Sequence, residues 1–185
     1  MSMSGHSKWT QIKRQKGASD MKRGNVFTKL SNAIALTAKR GGADPSTNYK
    51  LKEILDTAKA ANMPSSTIER AVKRGSSHLE ADNLEEAIYE AYGPQGIAFV
   101  VKVITDNRNR TSQSLRHVFT KNGGGLAGPG AVSWMVRPDG SFSITVDQAD
   151  QDTLDKIEKI SSELDEIDDV ADFDCNLNVS TDTER

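Results

Sequence analysis

A single cysteine, Cys175, stands in 185 residues. This excludes an intrachain disulfide, a Cys-x-x-Cys redox pair and a zinc site built from several thiolates, and it makes a reducing compartment the default expectation. Long apolar runs are missing as well. No stretch reaches the roughly eighteen residues that a membrane-spanning helix needs, so no membrane association is expected. The start, MSMSGHSKWTQIKRQKG, is basic but has no apolar segment behind it, which argues against a secretory signal; its Ser/Thr content leaves an organellar transit peptide as an alternative to a cytoplasmic protein. The sequence also lacks GxxxxGK[ST], HExxH and GxSxG, and His6, His78 and His117 have no ligand-like spacing. No catalytic residue, cofactor or metal site is therefore expected, and each histidine reads as a surface or packing residue.

The chain does have charge, unevenly placed. Apolar residues make up 36% and charged residues 27%, and the net charge is only −2. Mean hydropathy is −0.57, as for a soluble globular chain. Residues 1–80 hold 15 Lys and Arg against 6 Asp and Glu, residues 81–140 hold 6 of each, and residues 141–185 hold 3 against 14. Within residues 1–40, 9 basic side chains meet only Asp20. Such asymmetry predicts a basic module at 1–80 aimed at a polyanion, joined to an acidic module at 81–185 that cannot face the same polyanion. Two ordinary solvated surfaces of opposite sign are the plain alternative; for residues 1–40 the uncompensated charge favours function.

The periodicity predicts an α+β fold. Val26, Phe27, Leu30, Ala33, Ile34, Thr37 and Ala38 recur at helical spacing between Ser19 and Arg40, and Gly41-Gly42 supplies a stop. A second helix runs from an Asn48 cap through Leu51, Ile54, Leu55 and Ala58 to before Met63-Pro64. A third is expected from Ser66, with Glu69 completing a capping box, to Gly75. These three form a small bundle. Beyond it, residues 85–92, which also allow a helix, and the apolar run 97–104 read as two strands around Gly93-Pro94-Gln95-Gly96. A helix follows over 107–122. A hairpin is expected with strands at 131–137 and 141–146 around Pro138-Asp139-Gly140, then a helix through Leu154, Ile157, Ile160, Ser161 and Leu164, and a strand over 170–179. From residue 97 the order is βαββαβ, a ferredoxin-like layer of helices on an antiparallel sheet with one extra N-terminal strand.

Two groups of residues are candidates for nucleic-acid contact. The arm carries Lys8, Lys13, Arg14 and Lys16 with Trp9 interleaved, and the first helix adds Lys22, Arg23 and Lys29. Cations neutralise phosphates and an aromatic can stack on an exposed base, although Trp9 has a rival role in pinning the arm to the bundle. In Thr105-Asp106-Asn107-Arg108-Asn109-Arg110-Thr111, Asp106 or Asn107 can cap the next helix while Arg108 and Arg110 either receive an anion or pair with carboxylates of the chain itself. No helix groups Asn, Gln and Arg to read base edges, yet the helix over 19–40 could enter a major groove. Gly123 to Gly128 spell GxGxxG, but the stretch follows a helix rather than a strand, so a turn with positive φ is expected there, not a dinucleotide site. The acidic residues between Asp147 and Asp174 read as a solvated face; a weakly held cation, the basic domain or a basic protein partner are the alternatives.

Several ordered motifs then resemble one family. GHSKW at 5–9, FTKL at 27–30, GG-ADP at 41–45, AKAANMP at 58–64 and IERAVKRG at 68–75 are similar to the first domain of the YebC/PmpR family, which includes mitochondrial translational activators of cytochrome c oxidase. YEAYGPQG at 89–96, TDNRNRT at 105–111, GAVSWM at 130–135 and ELDEIDDV at 163–170 extend the resemblance over most of the chain. It implies a non-enzymatic nucleic-acid-binding regulator with a basic helical domain joined to α/β domains: a DNA-binding transcriptional regulator, or a factor acting in translation at the ribosome. By motif, Lys8, Lys13, Lys16, Lys22 and Arg23 fall in the implied binding domain, and Arg108 and Arg110 in the shared DNRNRT stretch. Typical members are longer, with a further α/β domain after the strand expected to end near Val136, and they tend to have glycine at Ala91. A third reading, a protein-interaction adaptor gripping a basic partner through the acidic half, follows from charge alone.

Overall fold

The computed structural model describes residues 20–77 and 83–178. Helix α1 spans Asp20–Gly41, α2 spans Tyr49–Ala60 and α3 spans Ser65–Ser76, as the apolar spacing requires. Their shared core is Ile34, Ala38, Leu51, Leu55, Ala58, Met63, Ile68 and Ala71. Asn48 is the α2 cap: its side chain accepts from the Leu51 amide and donates to the Thr37 and Gly42 carbonyls, tying the α1–α2 loop to both helices. The capping box expected at Ser66 does not form. Pro64, extended at φ −60° and ψ 137°, is the residue before α3, so Ser66 already lies inside the first turn and no side chain caps this end. Nor does α3 stop at Gly75. That glycine is buried inside the helix because a Cβ there would lie 2.2 Å from the Ala35 carbonyl oxygen of α1.

The second layer is a four-stranded antiparallel sheet. Strand β1 (Glu85–Tyr92) pairs with β2 (Ala98–Thr105) from Glu85↔Thr105 to Tyr92↔Ala98, across the short 3₁₀ turn Pro94–Gly96. Helix α4 (Arg108–Lys121) leads to the two-residue β3 (Gly125–Leu126), and α5 (Gln151–Glu166) leads to β4 (Val170–Cys175). The strand order is β3-β1-β2-β4, and both α4 and α5 cover one face. There Phe99, Val101 and Val103 meet Leu115 and Phe119 of α4 and Ile157, Ile160 and Leu164 of α5. Phe99 and Phe119 meet edge to face at 5.2 Å.

The opposite face of β2 is also covered, which explains its nearly unbroken apolar run. At one end Ala98 and Val100 pack against Val132, Met135 and Phe142; at the other, Ile104 packs with Leu84 and with Ala35 and Leu36 of α1. The second cluster docks the helical bundle on the sheet.

The α+β class and the helices-on-sheet layer are as expected, but the hairpin at 131–146 is not. The Asp139-Gly140 turn is present, with φ +86° at Gly140 and the Arg137 amide donating to the Ser141 carbonyl, yet only the single bridge Val136↔Phe142 joins its arms. Ser133–Met135 is a 3₁₀ turn, and residue 146 makes one parallel bridge to Leu177. The physical reason is Glu90. Its carboxylate, on the outer face of β1, accepts from the amides of Gly130 (2.9 Å), Val132 and Ser133 (3.1 Å), so these amides cannot join a strand ladder. Strand β1 lies between the parallel β2 and β3, so the split βαβ unit β2-α4-β3 encloses an N-terminal strand rather than one from the expected hairpin. The last strand is shorter than expected, ending at Cys175.

Candidate nucleic-acid interface

Lys8, Trp9, Lys13, Arg14 and Lys16 lie outside the described residues. Lys22 and Arg23 fall in the first turn of α1, without described side chains. The remaining candidates are placed by the fold, and each is engaged within the chain. Lys29 of α1 lies 3.6 Å from Asp165 of α5. Arg108 grips both oxygens of Glu85 at 2.5 and 2.6 Å. Arg110 donates to Asp106 at 2.9 Å and to both oxygens of Asp169 at 2.9 and 3.0 Å.

The last contact belongs to a buried network. The Thr111 hydroxyl donates to Asp169 at 2.7 Å and lies 2.9 Å from the Thr105 hydroxyl, joining the end of β2, the start of α4 and the entry to β4. Asn107 caps α4 by accepting from the Arg110 amide. Hydrogen bonding to Asp169 raises the Arg110 pKa against desolvation, and hydrogen bonding to Glu85 raises that of Arg108, while Glu85 is lowered by the same contact. Of the two alternatives for these arginines, their geometry matches the pairing with the chain's own carboxylates.

Ion pairs also join the bundle to the sheet. Arg40 donates to Glu86 at 2.7 Å, and Lys102 reaches the other Glu86 oxygen at 2.6 Å. Burial pushes the Glu86 pKa up, but hydrogen bonds from Lys102 and Arg40 outweigh it and hold the group below its usual value. The Lys39 ammonium donates to the Leu84 carbonyl at 3.1 Å. Between bundle and sheet lies an open cleft of about 450 Å³, in which Arg74, bonded to Asn32 at 2.9 Å, faces the Arg110–Asp169 pair.

The C-terminal half of α1 cannot enter a groove. Ile34, Ala35, Leu36 and Ala38 are all buried, enclosed by α2 and α3 on one side and the sheet on the other. Sequence periodicity identified one apolar face; the second, against Leu84 and Ile104, depends on a partner almost seventy residues away. Exposed cations lie instead on α2 and α3. Among the described residues, Lys50, Lys52 and Lys73 form no ion pair. Beside them is Tyr49, 79% exposed, which the sequence reading did not single out.

Elsewhere, the glycine run acts through backbone packing. Gly123 takes φ +81°, as expected of a turn, and a Cβ on Gly124 would lie 2.2 Å from the Tyr92 carbonyl oxygen. Cys175 is buried, and burial pushes its thiol up to about 12, leaving it protonated at neutral pH. Among the described residues no group of three His, Cys, Asp or Glu could hold a metal ion, and no helix is long and apolar enough to cross a membrane.

A helical bundle docked on an antiparallel sheet with two covering helices defines an α+β protein. Residues 7–78 match the family domain described as TACO1/YebC protein N-terminal domain, and residues 84–154 match the TACO1/YebC second and third domain. The chain belongs to the TACO1/YebC family. It is 47% identical over 146 residues to a probable transcriptional regulatory protein of Fervidobacterium nodosum, covering 79% of this chain and 58% of the relative. Proteins with the same description from Chlorobium luteolum and Thermoanaerobacter pseudethanolicus are 49% and 48% identical over 82% of this chain, and 61% and 62% of their own lengths are covered. The matched segment thus spans about three-fifths of these relatives. The crystal structure of the conserved hypothetical protein Aq1575 from Aquifex aeolicus superposes with a TM-score of 0.85 at 30% identity, covering 97% of this chain and 100% of that one.

Proposed function

We propose that the chain is a non-enzymatic nucleic-acid-binding regulator of gene expression, in which the basic N-terminal module contacts the phosphate backbone and the acidic sheet module does not. The observation that carries this reading is the charge partition: 9 Lys and Arg against a single acidic residue in residues 1–40, and 3 against 14 in residues 141–185. The relatives' description as probable transcriptional regulatory proteins supports the regulatory part and favours DNA as the target. Lys8, Trp9, Lys13, Arg14, Lys16, Lys22, Arg23 and Lys29 are the proposed contacts on the basic side. Arg108 and Arg110 reach an anion only by exchanging their carboxylate partners for it. The acidic half is left to the basic module or a basic protein.

One observation favours a second reading, RNA contact at the ribosome. The helix that could have served as a recognition helix is enclosed along its C-terminal half, whereas an aromatic and several cations are exposed on α2. Gradient sedimentation of the tagged protein from lysate, after DNase or RNase and at two salt concentrations, separates the readings. Release from heavy fractions by DNase alone supports transcription. Co-sedimentation with ribosomal particles that survives DNase and is lost on RNase or high salt supports translation. Absence from every nucleic-acid fraction at moderate salt overturns both.

A further inference from the structure

We infer that the exposed Tyr49 face of α2 is a subsite for an unpaired RNA nucleotide, distinct from the N-terminal arm. The inference rests on the nucleic-acid reading above and adds to it a location and a strandedness. A concavity of about 500 Å³ opens on this face, within the roughly 300–1,000 Å³ of small-molecule sites. Tyr49, Lys52, Asp56 and Lys59 follow one another at three- and four-residue steps, so they share one stripe of the helix, and all line the concavity. Pro45 and Leu55 add apolar surface to it.

Each part matches a part of a nucleotide. The aromatic residue Tyr49, 79% exposed at a position where no core needs it, offers a stacking face for any unpaired base. Lys52 has no ion pair among the described residues, and Lys59 has only a loose one, 3.9 Å from Asp56, with both side chains more than three-fifths exposed. Both ammonium groups are available to a phosphate. The Asp56 carboxylate disfavours a bare phosphate but accepts from a ribose 2′-hydroxyl, the group that distinguishes RNA from DNA. A base paired in a duplex has no free face for Tyr49, which is why the ligand is single-stranded.

The platform is also held in place. Tyr49 follows Asn48, which is 8% exposed and bonded to Thr37, Gly42 and Leu51. The preceding turn is closed by the Asp44 carboxylate accepting from the Ser46 amide at 2.8 Å, contacts that lower the Asp44 pKa. A stacking residue fixed at its base loses less freedom on binding.

The test is fluorescence anisotropy with the full chain and three labelled probes: an unstructured single-stranded RNA, the DNA of the same sequence, and its duplex. Tyr49→Ala is expected to weaken the RNA complex about tenfold, the size of one lost base–aromatic stack, and to leave duplex affinity unchanged. Tyr49→Phe is expected to retain affinity, and Lys52→Ala with Lys59→Ala to weaken RNA binding with a shallower salt dependence. Unchanged thermal melting of Tyr49→Ala excludes misfolding as the cause. If Tyr49→Ala binds the RNA like wild type while Lys13→Ala, Arg14→Ala and Lys16→Ala together lose it, the subsite is overturned and the nucleic-acid reading stands. An equal loss on single-stranded DNA overturns the preference for RNA. If wild type binds none of the probes at moderate salt, both readings fall.

Discussion

Glu90 does more for the architecture than its place in an alternating strand suggests. It is 8% exposed and accepts three backbone hydrogen bonds from the loop at 130–133, which would otherwise extend the sheet. Burial alone pushes its pKa up, but the amides of Val132, Gly130 and Ser133 outweigh this and hold it below the usual carboxylate value. A carboxylate with a depressed folded-state pKa contributes stability that is complete above its unfolded-state value and is lost as pH falls through the folded-state value. Glu90→Gln removes the charge from these bonds and is expected to cost about 1–3 kcal/mol at neutral pH. Urea midpoints of the two proteins should therefore converge as the solution is acidified through the depressed folded-state value. A gap that is the same at every pH would refute the role of the ionised carboxylate. Nothing adjacent to Glu90 in sequence announces this, because its partners are backbone groups some forty residues away.

Among elements, the docking of α1 on the sheet is the contact that no local pattern marks. The helices of the bundle, β2, α4 and α5 were all legible, since each has an apolar period or an unbroken apolar run bounded by Asn, Gly or Pro, whereas the β1 segment also allowed a helix. What periodicity does not reveal is a second buried face. Leu36 is 5% exposed in a small cluster with Ala35, Leu84 and Ile104, while Arg40 and Glu86 form an ion pair across the same junction with the arginine side chain 58% exposed. Buried apolar contact and a solvated pair differ in worth. Leu36→Ala is expected to cost about 2–5 kcal/mol and Arg40→Ala no more than about 1 kcal/mol. Chemical denaturation decides it: comparable losses would mean that the junction is held by charge. The 131–146 stretch misled for a related reason, because Phe142, Ile144 and Val146 alternate as a strand would, yet only Phe142 is buried. Likewise the candidate site was legible in sequence as cations, with pairing to the chain's own carboxylates as one alternative, but not by its partners. Arg108 and Arg110 face Glu85 and Asp169, and only the fold brings those residues together.

For the whole molecule, the opposed charges of the two halves set how binding depends on salt. Each phosphate neutralised by a cation releases condensed counterions, so the logarithm of affinity falls with the logarithm of salt by about 0.7 per contact on single strands and about 0.9 on duplex. The described cations Lys29, Arg40, Arg108 and Arg110 already have carboxylate partners, and exchanging one anion for another gains little. The dependence should therefore come mainly from the several cations of the arm, with Lys52 and Lys59 of α2 adding a smaller share. Changing Lys13, Arg14 and Lys16 together to Ala is expected to lower the slope by about 2–3 and to weaken binding at low salt, with melting unchanged. Tyr49→Ala should behave in the opposite way, losing affinity at every salt concentration with no change of slope, since a stack releases no counterions. Titrations of both variants against one RNA across a salt series separate the two contributions. An unchanged slope in the triple variant would move the phosphate contacts away from the arm to the exposed lysines of α2 and α3, and the acidic half would then have to be displaced from Arg40 and Lys29 for the bundle to bind with all its charge.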